Sequence, residues 1–279
     1  RSLPVGVKML VPGYRGRFED RYAAMLARLD EVVPGMRFGD DDGAIWLEDA
    51  AGVRLYGFEP EEHNVRLYGL LRRRLPANLD LAHFRLAMDY VTRWIYPHMR
   101  PDLGPEGFRP DQLRAMHPQH RDWIAQIADP GARSRLMEAF RPKPTDVVID
   151  CGPFLGVGSV RMGRDVPQGR VVAVEASSDC HAYLVRNVEA NGATNVTARW
   201  NGVWKESGEL RLEKTYAQAN SLVQQVVQGD GYETVPTRAI DEIVAEEGLE
   251  RVDMLSLTLN GAEVEAIEGA QRTLDQHRP

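Results

Sequence analysis

The chain has 279 residues, 43% of them hydrophobic and 27% charged, which is enough apolar material for one large core or two modest ones. No apolar run is long enough to span a bilayer, and Cys151 and Cys180 are too few for a disulfide framework, so the composition points to a cytoplasmic enzyme in a reducing compartment. The net charge of −7 is uneven, +1 over residues 1–141 and −8 over residues 142–279; an acidic half suits a phosphate backbone poorly, so neither nucleic acid nor a membrane is an expected partner.

The opening Arg1-Ser2-Leu3-Pro4 has no initiator Met and no signal-peptide pattern, as expected if the natural N-terminus lies upstream. From Phe18 to Val33, Tyr22, Met25, Leu26 and Leu29 fall on one helical face, and Pro34-Gly35 ends the run. Ala44 to Leu47 and Val53 to Tyr56 flank Asp49-Ala50-Ala51-Gly52, which predicts a hairpin. Helices are predicted at about 60–75, 79–97 and 110–127, the last two separated by a Pro- and Gly-rich stretch from Pro97 to Pro110. The run Arg72-Arg73-Arg74 reads as the solvent face of a helix. Tyr90, Trp94, Tyr96 and Trp123 suit either core packing or the wall of a substrate pocket. Residues 1–140 thus read as a mainly helical α+β region on the substrate side.

Arg141-Pro142-Lys143-Pro144 marks a boundary, and residues 141–279 form a second domain that alternates strand and helix. Asp146 to Asp150 and Arg170 to Glu175 are short runs with apolar, β-branched centres, as expected for parallel strands buried on both faces. Ser177 or Ser178 caps an amphipathic helix that runs to Ala190, with Gly192 near its end. Strands are predicted at about 195–200, 209–213, 232–237 and 252–258, and a helix at 238–247. This alternation predicts a doubly wound α/β fold with a mostly parallel sheet.

The first strand of this domain runs into Asp150-Cys151-Gly152-Pro153-Phe154-Leu155-Gly156-Val157-Gly158-Ser159. Glycines at a strand-to-helix turn admit a ligand close to the backbone and expose amides at the helix N-terminus. The second strand ends in Glu175, 23 residues after Gly152, where a carboxylate can accept from both ribose hydroxyls of an adenosine ligand. The spacing G-x-x-x-G-x-G differs from the usual dinucleotide fingerprint. It is shared with short-chain dehydrogenases, whose pattern also needs Tyr-x-x-x-Lys, yet none of Lys8, Lys143, Lys205 and Lys214 has Tyr four positions earlier. A carboxylate at Asp150 would repel a pyrophosphate but balances a cationic sulfonium and an ammonium group. These residues therefore point to S-adenosylmethionine as cofactor. The binding set read from the sequence is Asp150, Cys151, Gly152, Pro153, Gly156, Gly158, Ser159, Glu175, Ala176, Asn201 and Gly202.

From about residue 135 the chain resembles the FkbM-type methyltransferases. The resemblance lies in Val148 to Gly152 with Gly156 and Ser159; in Val174-Glu175 with Leu184, Asn187 and Asn191; in Val235-Pro236 leading to Ile240-Asp241; and in Asp253 to Glu263 followed by Ile267-Glu268-Gly269-Ala270. It implies a class I, Rossmann-like methyltransferase fold that acts on a hydroxyl of a sugar, natural product or other small metabolite. Where the family commonly carries Lys, Asp and Glu, this chain has Ser256, Thr258 and Asn260. That change removes a general base or metal-ligating carboxylate, so no metal is implied. Thr258 and Asn260 can still hydrogen-bond a substrate hydroxyl. His117 and His120, in the segment before the cofactor domain, are the histidines considered for proton removal. Glu263 reads as a surface residue. Gln276 to Pro279 resembles the point where the family enters its last two strands, so these are expected to be missing from the sheet. Two other readings remain: a non-catalytic cofactor-binding or partner module of the same fold, and an NAD(P)-dependent reductase.

Overall fold

The computed structural model describes residues 35–41, 44–58, 86, 141–214, 222 and 231–279. The helices predicted at 18–33, 60–75, 79–97 and 110–127 lie outside these residues, apart from Leu86, which is helical and buried. So do Arg72 to Arg74, the four aromatics from Tyr90 to Trp123, and both His117 and His120. Among the described residues, no helix is long and apolar enough to cross a membrane.

The predicted hairpin is present, with one more strand before it. Strands β1 (Arg37–Asp41), β2 (Ala44–Glu48) and β3 (Arg54–Gly57) form an antiparallel sheet in that order. The turn between β2 and β3 closes because Asp49 Oδ1 accepts from the amides of Ala51 and Val53, both at 2.9 Å. Its last residue, Gly52, has φ 78°, a left-handed angle that costs glycine little. β1 has one large apolar residue and was invisible in the sequence pattern. It forms because the Trp46 indole lies against Gly39, where a Cβ would come within 2.4 Å of the ring.

The second half builds a four-stranded parallel sheet from β4 (Val147–Cys151), β5 (Arg170–Glu175), β6 (Val196–Trp200) and β10 (Met254–Leu257), in the order β10-β4-β5-β6. Helices cover both faces, which is why β4 from Val147 to Ile149 and β5 from Val171 to Val174 are apolar. Val148, Val171 and Ala173 pack toward α1 (Val157–Asp165) and α2 (Ser178–Ala190), through Met162 and Leu184. Ile149, Cys151, Val172 and Val174 pack on the other side toward α3 (Ile240–Glu246), α4 (Glu263–Glu268) and α5 (Gln271–His277), through Ile240, Ile243, Ala266 and Leu274. Chain order reverses at β4, with β5 and β6 on one side and β10 on the other. In open α/β sheets such a reversal leaves a crevice at the carboxyl ends of the strands.

The strands predicted near 209–213 and 232–237 exist but do not join this sheet. β8 (Gly208–Lys214) pairs antiparallel with β9 (Gly231–Arg238), and the two-residue β7 (Gly202–Val203) adds to β9 in parallel. The reason lies in their burial. Only Leu212 in β8 and Val235 and Thr237 in β9 are fully buried, an alternation that suits an antiparallel ribbon with one wet face.

The two halves share a core. Ile45, Leu47, Val53 and Leu55 of the β1–β3 sheet pack with Leu86 and with Phe154, Leu155, Val157, Val160 and Cys180 of the second half.

Candidate functional site

The segment from Asp150 to Gly158 leaves β4 and enters α1 through three left-handed residues: Gly152 (φ 79°), Phe154 (φ 58°) and Gly156 (φ 77°). At Gly152 a Cβ would sit 2.0 Å from the Thr258 carbonyl oxygen, so backbone from β4 meets backbone beyond β10 with no room for a side chain. At Gly156, the N-cap of α1, it would sit 2.3 Å from Leu184 Cδ1. Gly158 differs: a Cβ there meets nothing within 4 Å. Its lack of a side chain serves no internal contact and leaves the first turn of α1 open on that side.

Asp150 is buried at the end of β4, and the fully buried Ser159 donates its hydroxyl to Asp150 Oδ2 at 2.6 Å. Pro153 accepts the Gly156 amide at 3.0 Å, closing the turn. Cys151 presents its side chain to the core below the sheet rather than to the rim. Burial, with the neighbouring Asp150 charge, pushes its thiol above the ordinary range, so it stays protonated. Cys151 can meet a ligand only through its backbone.

Glu175, at the end of β5, is buried with both oxygens engaged. Oε2 accepts from the Phe154 amide at 3.0 Å and Oε1 from the Ser177 amide at 2.9 Å. Burial raises its pKa to about 7; the backbone donors at Ser177, Phe154 and Ala176 oppose that rise, and the Asp150 charge adds to it. Three amides on two oxygens still leave the carboxylate part of its accepting capacity. The register places Trp200 opposite Glu175 on β6, with the indole N–H donating to the Ala176 carbonyl at 2.9 Å. Trp200 is nonetheless 42% exposed, so its ring is fixed at one edge and bare on the rim. The sequence reading passed over this residue, although a Trp directly before Asn201-Gly202 was the available signal.

Of the other predicted residues, Asn201 is buried, its amide donating to the Glu175 carbonyl at 3.1 Å and its Oδ1 accepting from the Arg199 guanidinium. Gly202 packs under Leu222 and Thr237. Ser256 pairs with Asp150 across β10 and β4, and Thr258 donates its amide to the Cys151 carbonyl at 2.9 Å. The structure thus gathers Asp150, Gly152, Glu175, Asn201 and Thr258 on one rim. Thr258 and Asn260 are exposed there, and Asn260 has φ 53°, followed by Gly261 at 109°.

Glu263 is no idle surface residue. Its carboxylate accepts from the amides of Leu259 at 2.8 Å and Gly261 at 2.9 Å. Burial acts to raise its pKa, but these donors, with the Asn260 amide and its own, outweigh it and hold the carboxyl below its usual range. It fixes the loop that carries Asn260 and is poorly disposed to accept a proton. Among the described residues, no group of three or more His, Cys, Asp or Glu could hold a metal ion.

Comparison with known proteins finds a family match within the second half of the chain. Residues 157–279 match the model of the methyltransferase FkbM domain, beginning just after the glycine turn. The chain is 28% identical over 155 residues to methyltransferase sdnD of Sordaria araneosa, covering 44% of this chain and 59% of that protein. It is 35% identical over 75 residues to the 2-O-methyltransferase NoeI of Sinorhizobium fredii, covering 27% and 29% respectively. The chain therefore spans less than two thirds of the length of either relative. A crystal structure of a SAM-dependent methyltransferase from Aquifex aeolicus aligns at 21% identity and TM-score 0.23, over 34% of this chain and 48% of that one, an overlap too slight to bear on the fold.

Proposed function

We propose that this chain, whose residues 157–279 match the FkbM methyltransferase domain, binds S-adenosylmethionine at the rim between β4 and β5 and methylates a hydroxyl oxygen of a small molecule. The observation that carries the proposal is that Asp150 and Glu175 both stand near the carboxyl ends of adjacent parallel strands, beside a turn whose first glycine lies against the Thr258 backbone. The residues present fit that cofactor. Glu175 keeps accepting capacity for a ribose hydroxyl, Gly158 leaves an open face on α1, and Asp150 supplies a negative charge held in one rotamer by Ser159. The bare Trp200 ring flanks the same edge.

When bound, S-adenosylmethionine supplies a methyl group already activated on a sulfonium centre. The residues of the chain then bind, orient and exclude water. Glu175 fixes the ribose, Asp150 attracts the cationic amino-acid portion, and Thr258 and Asn260 present polar groups to the acceptor hydroxyl. The hydroxyl must also lose its proton. Glu263 is committed to backbone amides, so the proton acceptor falls to the segment before residue 141, which contains His117 and His120.

The test is binding and turnover together. Purified protein should bind S-adenosylhomocysteine, the demethylated product, and each of Asp150→Ala and Glu175→Ala should weaken it by roughly a hundredfold, the scale of two hydrogen bonds to a charged group. Methyl transfer to members of a panel of sugars and hydroxylated small molecules would establish the acceptor class. The neutral Ser256, Thr258 and Asn260 favour one second reading, a module that holds the cofactor without turnover. Tight binding with no transfer to any hydroxyl, amine or thiol would select it. Preferential binding of NAD(P)H would overturn both.

A further inference from the structure

Among the described residues β3 is an edge strand of its sheet, and α2 with its C-cap residue covers that edge with two asparagines one turn apart. Asn191 accepts the Arg54 amide on Oδ1 at 3.3 Å and donates from Nδ2 to the Arg54 carbonyl at 2.7 Å. Asn187 does the same for Tyr56, accepting its amide at 2.6 Å and donating to its carbonyl at 3.1 Å. Four residues of helix rise about 6 Å and two residues of strand about 6.7 Å, so an i, i+4 pair meets an i, i+2 pair in register. The two carboxamides stand in for the missing neighbouring strand.

Asn187 does one thing more. Its Nδ2 also donates to the Leu155 carbonyl at 2.8 Å, inside the glycine turn, and the side chain is fully buried. Asn191 has no bond to the turn; its further donation, at 2.8 Å, goes to the Asn187 carbonyl. The residue before Leu155 is Phe154, a non-glycine residue in a left-handed conformation that its surroundings must hold. Three supports hold it: Glu175 takes its amide, its ring meets Phe58 at 6.2 Å between centroids, and Asn187 takes the next carbonyl. Two of the three lead to β3 or the residue after it.

We infer that Asn187 is a positioning residue for the cofactor turn: one carboxamide binds the edge of β3 and the Leu155 carbonyl together, so the N-terminal sheet holds the Gly152–Gly156 turn in its ligand-receiving shape. The inference rests on the proposed function for its consequence, cofactor affinity, but its structural content is testable without a ligand. Asn191 is the internal control, because it binds the same strand edge and leaves the turn alone.

The experiment is hydrogen exchange by mass spectrometry on ligand-free wild type, Asn187→Asp, Asn187→Ala and Asn191→Ala, followed by S-adenosylhomocysteine titration of each. Asn187→Asp removes both donations from Nδ2 and retains the acceptor for the Tyr56 amide. The expected result is faster exchange in peptides covering 152–160 for the Asn187 variants only, with 54–58 loosened in all three. Cofactor-product affinity should fall about tenfold for Asn187→Asp and less than twofold for Asn191→Ala, the scale of one buried hydrogen bond. Equal effects of the two positions on the turn, or none, would overturn the inference. If wild type fails to bind S-adenosylhomocysteine, the proposed function falls while the exchange pattern still decides the coupling. If the Asn187 variants do not fold, native-state exchange of wild type in mild denaturant replaces them. Peptides 54–58 and 152–160 should then open together, and opening of β3 with the turn still protected would refute the claim.

Discussion

The glycines of the turn look alike in the sequence and do different work. Gly152 and Gly156 have left-handed angles and Cβ positions already filled by Thr258 backbone and the Leu184 side chain, so their requirement is internal. Gly152→Ala should therefore destabilise the protein by about 3 kcal/mol or more, since strain at a positive φ adds to a backbone clash, and the variant should be largely insoluble. Gly158→Ala should keep the melting temperature within a few degrees, because its Cβ meets nothing. Its effect should show instead as weakened S-adenosylhomocysteine binding, measured by calorimetry on a fully folded variant. Unchanged affinity would mean that no ligand approaches α1 at that point. Glu263 makes a converse case. Gathering the amides of Leu259 and Gly261, it should cost about 1–3 kcal/mol when changed to Ala, through donors left unpaired, read as a drop in thermal midpoint. Because its carboxyl is held below the usual range, that stabilisation is present above the unfolded pKa and is lost as pH falls through the folded value.

Elements were legible in proportion to how far their causes are local. β4 and β5 are runs of β-branched residues with helices on both faces, and their register follows from that burial. The turn between β4 and α1 was legible because glycine leaves a mark wherever the backbone must turn left-handed. Phe154 adopts the same angle without leaving such a mark, since its support comes from Glu175 and Phe58. β1 was missed because Trp46, on the next strand, supplies what Gly39 lacks. β8 and β9 were expected as strands, but their antiparallel pairing apart from the parallel sheet was not, because alternation of strand and helix does not separate a one-sided ribbon from a strand buried on both faces. Asn187 and Asn191 stood out only as part of a family pattern. Their partners, Tyr56 and Arg54, lie 131 and 137 residues away in the chain, a separation that no local pattern reports.

At the scale of the whole molecule, the boundary at Arg141 divides the sequence pattern but not the packing. Phe154, Leu155, Val157, Val160 and Cys180 are covered by Ile45, Leu47, Val53, Leu55 and Leu86. A fragment of residues 141–279 would expose that surface and leave Asn187 without Tyr56. We expect it to be aggregation-prone or molten, with near-ultraviolet circular dichroism largely lost, and unable to bind S-adenosylhomocysteine. A cooperative, ligand-binding fragment would show that the β1–β3 sheet is dispensable. On the other side of the parallel sheet, Arg199 pairs with Glu246 and Glu247, and Arg170 with Glu247, joining α3 to β5 and β6. These pairs belong to the frame, and Arg199 also reaches the rim by donating to Asn201 Oδ1.

The central claim, that Glu175 receives the ribose of an adenosyl ligand, carries a proton signature. With its pKa raised to about 7, Glu175 is partly protonated below neutrality, whereas accepting a ribose hydroxyl favours the ionised form. The raised value also means that the folded state is favoured most below the unfolded pKa and loses that advantage as pH rises through about 7. Ligand affinity runs the other way and climbs across the same window. The decisive measurement is calorimetric titration of S-adenosylhomocysteine at a pH about half a unit below neutrality, in two buffers of different ionisation enthalpy. One-to-one binding that releases a substantial fraction of a proton, a release that disappears in Glu175→Gln, is the predicted result. No binding, or the same proton balance in wild type and Glu175→Gln, would contradict it.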